Sequence, residues 1–291
     1  MNKKNLLLIL PMLTLMFTTS CSGKDIIGSN EIKDFTFEVD NFNEVEIKNI
    51  KLKNGNTTYG PNVNFIPSLE KKIQISMDEN FQDEIKVKKS GNKKIISGDR
   101  THNLVTDRFE INIYGYVLND IDLSGACVAN INSLCLNSQN FDLNLSGASK
   151  ANIDIYQGIE FDAELSGASS LNIQSCDASN VNIDLSGASI AIINDLKVAS
   201  FDLDMSGAST TNITLGSANS LDADISGASK LNASLFEIEN GEVELSGASK
   251  MFIKVNQSLV GSASGSSTLN YSGEGVVKVG TSGSSKVNKI L

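Results

Sequence analysis

Tryptophan is absent from this 291-residue chain, which also has only one histidine, three prolines and four cysteines. The arginines are two, Arg100 and Arg108, and the net charge is −10 with a pI near 4.7. Neutralising phosphates needs a clustered excess of Lys and Arg, so nucleic acid is excluded as a partner. The single histidine, His102, lies in the polar stretch Thr101-His102-Asn103 and reads as a surface loop residue. No Ser-His-Asp set, phosphate loop or zinc spacing can be assembled around it. Cys127, Cys135 and Cys176 have no CxxC spacing and no flanking His, and read as small buried apolar residues. A disulfide among them stays open in an exported protein. Aromatics make up 6% of a chain that is 40% apolar, so a core can close but must be thin and regular.

No apolar run reaches the roughly 20 residues that a membrane helix requires. The longest, Leu6 to Phe17, is interrupted by Pro11, follows Lys3 and Lys4, and leads into Thr18-Thr19-Ser20-Cys21. This is the form of a secretory signal, with small residues before a cleavage point. It resembles the bacterial lipoprotein signal, with Thr18 where leucine is usual, and implies lipidation of Cys21. Residues 1–20 are thus expected to be a signal peptide and 21–33 a polar, disordered, lipidated tether. The expected location is the cell envelope, lipid-anchored at the outer membrane.

What the chain has in abundance is one triplet. Ser-Gly-Ala starts at Ser124, Ser146, Ser166, Ser186, Ser206, Ser226 and Ser246, and relaxes to Ser-Gly-Ser at Ser264 and Ser282. The spacing is 22 residues, then 20 five times, then 18 twice. So strict a period means one solenoid turn per unit, because an insertion would break the stacking of neighbours. Apolar residues alternate on both sides of the triplet: Phe141, Leu143, Leu145 before it and Ala151, Ile153, Ile155 after it. Leu215 and Leu235 continue the same columns further on. Period two is strand periodicity, and three short strands with three turns fit in 20 residues. The predicted fold is all-β: a right-handed parallel β-helix with rungs of about 20 residues, roughly 40 Å long at 4.8 Å per rung. Gly at the corner permits positive φ, Ala is expected to turn its methyl inward, and the Ser and Asn columns are expected to be structural. The Asn column comprises Asn130, Asn152, Asn172, Asn212 and Asn232.

Residues 34–116 lack the triplet but carry strand patterns, and are expected to form an irregular β cap on the repeat rungs of 117–291. The stretch 54–68, with Asn54-Gly55 and Pro61, is predicted to protrude as a turn-rich excursion. The Ser-Gly-Ala-Ser corners, the preceding Phe-Asp-Leu-Asn-Leu strand and the following Ala-Asn-Ile-Asp-Ile strand resemble the GIN-head domain family of autotransporter-type adhesins. The resemblance covers 34–291 and implies a parallel β-helix, export and an adhesive role. Autotransporters end in a membrane barrel; this sequence stops at Leu291 without one, so a lipid on Cys21 is expected to supply the anchor.

Two outward positions precede each triplet. Down the coil they read Asp120 and Asp122, Asp142 and Asn144, Asp162 and Glu164, Asn182 and Asp184, Asp202 and Asp204, Asp222 and Asp224, Glu242 and Glu244. Stacked in register they form two columns of carboxylates about 5 Å apart, repelling unless something offsets them. A solvated face is one reading; a site for calcium or for a basic partner is the other. An active site should break the repeat with an isolated group, whereas these acids recur at every rung. The chain is therefore read as non-catalytic and without a cofactor. The expected role is an adhesin or binding scaffold with a glycan, matrix or envelope-protein partner. A signalling lipoprotein that contacts another envelope protein is the alternative, and a polysaccharide-degrading β-helix enzyme the third.

Overall fold

The computed structural model describes residues 23–133 and 139–290. Cys21 and Cys135 lie outside the described residues, as does the signal segment. The opening strands are β1 (Lys24–Ile27), β2 (Ile32–Glu38), β3 (Glu44–Lys48), β4 (Leu52–Asn54), β5 (Thr57–Tyr59) and β6 (Asn62–Ile66). They continue with β7 (Lys72–Asp78), β8 (Lys86–Ser90), β9 (Lys93–Ser97), β10 (His102–Val105) and β11 (Glu110–Tyr114). The repeat supplies β12 (Asp120–Leu123), β13 (Val128–Ile131), β14 (Asn140–Leu145), β15 (Lys150–Leu165), β16 (Ser170–Leu185) and β17 (Ile190–Met205). It ends with β18 (Thr210–Ile225), β19 (Lys230–Leu245), β20 (Lys250–Ala263), β21 (Thr268–Ser272), β22 (Val276–Thr281) and β23 (Lys286–Lys289). The result is an all-β solenoid of about 8 parallel, stacked turns.

Each full rung is one long strand bent round the coil. Between β15 and β16 the pairing runs from Lys150↔Ser170 to Leu165↔Leu185 but skips Asp154 and Ile159, which are the two bends. The Ser-Gly-Ala turn is the third corner. Its glycines, Gly147 to Gly247, have φ of 70–73°, a left-handed conformation that a Cβ disfavours. Close stacking adds a second demand. A Cβ on Gly167 would lie 2.6 Å from the Gly147 carbonyl oxygen, the same oxygen that accepts the Ala168 N–H at 2.7 Å.

The corner is assembled differently from the expectation. Ala148 and its equivalents face solvent, and it is the next serine that points inward, with Ser149, Ser189, Ser209 and Ser249 all 0% exposed. The inward parity carries through the corner, so inward Leu145 is followed by inward Ser149, Ala151 and Ile153 while Ala148 falls on the outward side. At some rungs the buried hydroxyl donates back to the turn, as Ser149 Oγ does to the Ser146 carbonyl at 2.7 Å and that of Leu123 at 3.2 Å, whereas Ser169 Oγ and Ser249 Oγ have no partner. The bends do reset parity. Ile155, Leu215 and Leu235, expected inside, are 45%, 47% and 68% exposed, and Tyr156 turns inward in place of Ile155.

Inside, the columns before each triplet are apolar and buried. Phe141 stacks on Phe161 at 5.9 Å between centroids, and Tyr156 leans on Phe161 at 5.2 Å. The Tyr156 hydroxyl donates to the carbonyls of Glu160 and Gln139, which lets a phenol stand in the core. Burying each Leu, Ile or Phe here contributes about 1.5–3 kcal/mol.

The opening rungs are stacked out of chain order. Along one wall β12 pairs with β3, β3 with β9, and β9 with β8. Along the other β13 pairs with β6, β6 with β11, β11 with β7, and β7 with β2. The rung of 93–114 therefore lies outside the rung of 44–66, and antiparallel β8 and β2 close the walls. The third side of this end is a separate sheet in the order β1-β10-β4-β5. Two expectations are corrected. Residues 54–68 do not protrude as a whole: β4 and β5 form a hairpin around Gly55, but β6 is a wall strand with Val63 and Phe65 buried. The segment read as a disordered tether is ordered from Lys24, because β1 pairs with β10 over four residues from Lys24↔His102 to Ile27↔Val105.

Candidate functional site

The outward residues before each corner stack into the two expected columns. Asp120, Asp142, Asp162, Asn182, Asp202, Asp222 and Glu242 stand in one register, and Asp122, Asn144, Glu164, Asp184, Asp204, Asp224 and Glu244 in the other. Both begin one rung earlier than the triplet pattern reveals, with Glu44 beneath Asp120 and Glu46 beneath Asp122. These two were legible only as the alternation Glu-Val-Glu-Ile, because their rung has no triplet. At the far end the columns give way to Val260 and Ser262.

Like charges one rung apart leave a mark on the acids. Burial first, then the neighbouring carboxylates, raise Asp142 (beside Asp162), Asp184 (beside Asp204 and Glu164) and Asp224 (beside Glu244) above the ordinary 3.8. Asp120 and Asp202 are raised by the same two causes. The amides interrupt the repulsion: Asn182 Nδ2 donates to Asp162 Oδ1 at 2.5 Å. The base of the columns is held by a cation. Lys93 Nζ lies 2.6 Å from Asp122 and 3.2 Å from Asp120. Although burial alone would lower it, these bonds hold the ammonium well above its usual value.

Between the second column and the corner runs a groove of about 770 Å³. One side carries Asn144, Glu164, Asp184, Asp204, Asp224 and Glu244, and the other Ser146, Ser166, Ser186, Ser206, Ser226 and Ser246. Where the serines bond, they donate to the carbonyl one rung back, as Ser226 does to Met205 at 3.1 Å, which leaves the oxygen lone pairs on the groove side. A smaller depression of about 420 Å³ lies between the two columns and includes Asp120, Asp142, Asp162 and Asp184. Among the described residues no three His, Cys, Asp or Glu side chains converge to hold a metal ion.

The other singled-out residues are not brought to this face. His102 is bonded to Glu84 at 2.5 Å in the opening strands. Cys127 and Cys176 are free buried thiols, each pushed up to about 12 by burial and so inert at neutral pH. The Asn column is a hydrogen-bonded ladder, Asn152 donating to Asn130 at 3.0 Å and Asn130 to Asn64 at 3.2 Å. It breaks at Ile192 and resumes where Asn232 donates to Asn212 at 2.6 Å.

A coil whose outward groups repeat rung after rung belongs to the β-solenoids that present an extended face. The chain is a member of the family described as "Putative auto-transporter adhesin, head GIN domain", whose model matches residues 57–215 and 191–275. Solved structures share the fold at low identity. A "putative adhesin" from Parabacteroides merdae has a TM-score of 0.64 at 14% identity, over 92% of this chain and 100% of its own. One from Parabacteroides distasonis has 0.59 at 14% identity, with the same coverage of 92% and 100%. A "putative lipid binding protein" from Parabacteroides distasonis has 0.54 at 14% identity, again over 92% and 100%. No curated protein matches the chain. The family and these neighbours are described as adhesins or lipid-binding proteins, not as enzymes. No helix among the described residues is long and apolar enough to cross a membrane.

Proposed function

We propose that the protein is a non-catalytic binding scaffold of the cell envelope, an adhesin in the sense of its family's description. In this reading it is held to the membrane by a lipid on Cys21, and the acid-serine groove is its contact face. The observation that carries the reading is the repetition of one carboxylate-hydroxyl pair along the groove, Glu164 with Ser166 through Glu244 with Ser246. A repeated face suits a ligand that is itself extended and repetitive, and its charge selects a cationic one: a glycan or matrix strand bearing amines, or a basic protein segment. Nothing in it singles out one rung for bond breaking.

The test is protease accessibility on intact cells, compared with a Cys21→Ala variant. Shaving from intact cells, together with release of the variant in soluble form, supports a surface lipoprotein. Protection until the envelope is broken removes the adhesin reading and favours a periplasmic signalling partner. For the face itself, D184N/D204N/D224N should abolish capture of an amine-bearing polysaccharide on an array while leaving the far-ultraviolet circular dichroism unchanged.

A further inference from the structure

The coil has two outward walls of opposite character. On the wall before each corner, the rungs of Asp202 and Asp204, Asp222 and Asp224, and Glu242 and Glu244 carry carboxylates in both columns with no amide between them. None of these acids has a lysine or arginine within ion-pair distance among the described residues. On the wall after each corner, the stretches 150–153, 170–173, 190–193, 210–213, 230–233, 250–253, 268–271 and 286–289 contain no Asp or Glu. Their first outward column instead holds Lys150, Lys230, Lys250 and Lys286, which share one register down the wall. All four are exposed, and none has a carboxylate partner among the described residues. Lys230 Nζ lies over the Phe252 ring at 5.7 Å, which holds it to this wall.

How a lysine meets the acid columns is visible at their base. Lys93 enters in the register of Glu44 and bridges both columns at one rung, with Nζ 2.6 Å from Asp122 and 3.2 Å from Asp120. Lys230 and Lys250 are neighbours one rung apart, and so are the pairs Asp222 with Asp224 and Glu242 with Glu244. Both spacings are the separation of adjacent strands, about 4.8 Å. Two lysines so spaced match two consecutive carboxylate pairs, each ammonium bridging one pair as Lys93 does.

We propose that the basic partner of the acid face is a second copy of this chain, whose Lys230 and Lys250 seat on the carboxylate pairs as Lys93 sits on the first. The proposal rests on reading the acid face as a contact surface for a cationic ligand, and it names that ligand. Each contact uses one acid wall and one lysine wall, so every rod keeps one of each free. Heterologous contacts of this kind extend into rows of side-by-side rods unless a rotation closes them. The chain is acidic overall. At about 0.15 M salt, however, charges more than roughly 8 Å apart are largely screened, so the pairs at the contact outweigh repulsion between distant parts of two rods.

The test is sedimentation velocity of the chain from residue 21 with Cys21→Ser, at about 0.15 M salt and over a range of concentrations. Species of two and more copies are expected, growing with concentration. K230Q/K250Q should weaken association by up to about 25-fold, about fivefold for each exposed pair lost. K230E/K250E removes the lysine wall and D204K/D224K/E244K removes the acid wall, so each alone should be monomeric. An equimolar mixture of the two should associate, because the first still offers its acids and the second its lysines. A monomer throughout, association that K230Q/K250Q leaves unchanged, or a mixture of folded variants that stays monomeric overturns the proposal. The neutral variant keeps the test decisive where a charge reversal disturbs the fold. Capture of the amine-bearing polysaccharide separates the two readings. A monomeric chain that captures it loses the self-contact alone, whereas a chain that associates through Lys230 and Lys250 and captures none loses the polysaccharide alone.

Discussion

At Gly187 two demands coincide, a φ of 71° and a virtual Cβ 2.6 Å from the Gly167 carbonyl oxygen. Gly187→Val should therefore cost more than the roughly 1–2 kcal/mol of a left-handed non-glycine residue, read as a lowered urea midpoint with unchanged slope. The inward serines offer a sharper contrast. Ser189 Oγ donates to the Ser186 carbonyl at 2.9 Å, whereas the equally buried Ser169 Oγ has no partner. Ser189→Ala should lose about 1 kcal/mol and Ser169→Ala should be neutral or stabilising, a difference that paired denaturation curves resolve. The need for small residues at the corner was legible from the triplet, but which of them turned inward was not. Alternation predicts direction only along a continuous strand; it carries through the Ser-Gly-Ala corner but is restarted by the bends at Asp154 and Ile159. That is why Ile155 and Leu235 face solvent against the column pattern, whereas Ala148 is outward by the alternation itself and its small size alone suggested an inward methyl.

The carboxylate columns are the element that the sequence displayed best, since period two and period 20 together fix both direction and register. Their extension to Glu44 and Glu46, and the clamp by Lys93, depend on β3 stacking under β12 and β9 under β3. That order was hidden: the rung of 44–66 precedes that of 93–114 in the chain yet lies nearer the coil, because antiparallel β7 and β8 carry the chain outward before it returns. Within the columns, Asp184→Asn removes one charge from between Glu164 and Asp204. It should stabilise the coil by about 0.2–1 kcal/mol near neutral pH, and the gain should vanish in high salt. A loss of stability at low salt would show that Asp184 has a favourable partner instead.

For the molecule as a whole, acid acts in two directions. Asp142, Asp184, Asp202 and Asp224 are raised, so the folded coil binds more protons than the unfolded chain at and above 3.8. Their contribution is fully present at lower pH and is lost as pH rises through the raised values. The opening strands have the opposite sign: Asp25 is lowered by Lys53, Asp40 by Lys89 and Asp99 by Thr101. Their contribution is present above the ordinary carboxylate values and lost as pH falls below them. Thermal melting should rise as pH falls toward 3.8 from above and the raised carboxylates protonate, with a shrinking dependence on salt, and acid below 3.8 should loosen the opening strands first. Hydrogen exchange of β1 and β10 against β16 and β17 checks the order; simultaneous loss of both regions would contradict it. At this scale the sequence made the coil plain and concealed how it begins. A run of polar residues before Lys33 resembles a tether whether or not its backbone finds an edge, and β10 supplies one.

The corner-to-corner distance of 20 residues, kept through five intervals, also bears on how such a chain changes over generations. Neighbouring units are alike in length and in backbone register, so a recombination event between them adds or removes one whole turn and keeps the strand pairing on both sides. Excision of residues 190–209 would bring Ser189 to Thr210 and leave each strand a partner of the same register. The length of the groove can thus be inherited as a variable separate from the fold, and a lineage can lengthen its reach along a ligand without a single new side chain.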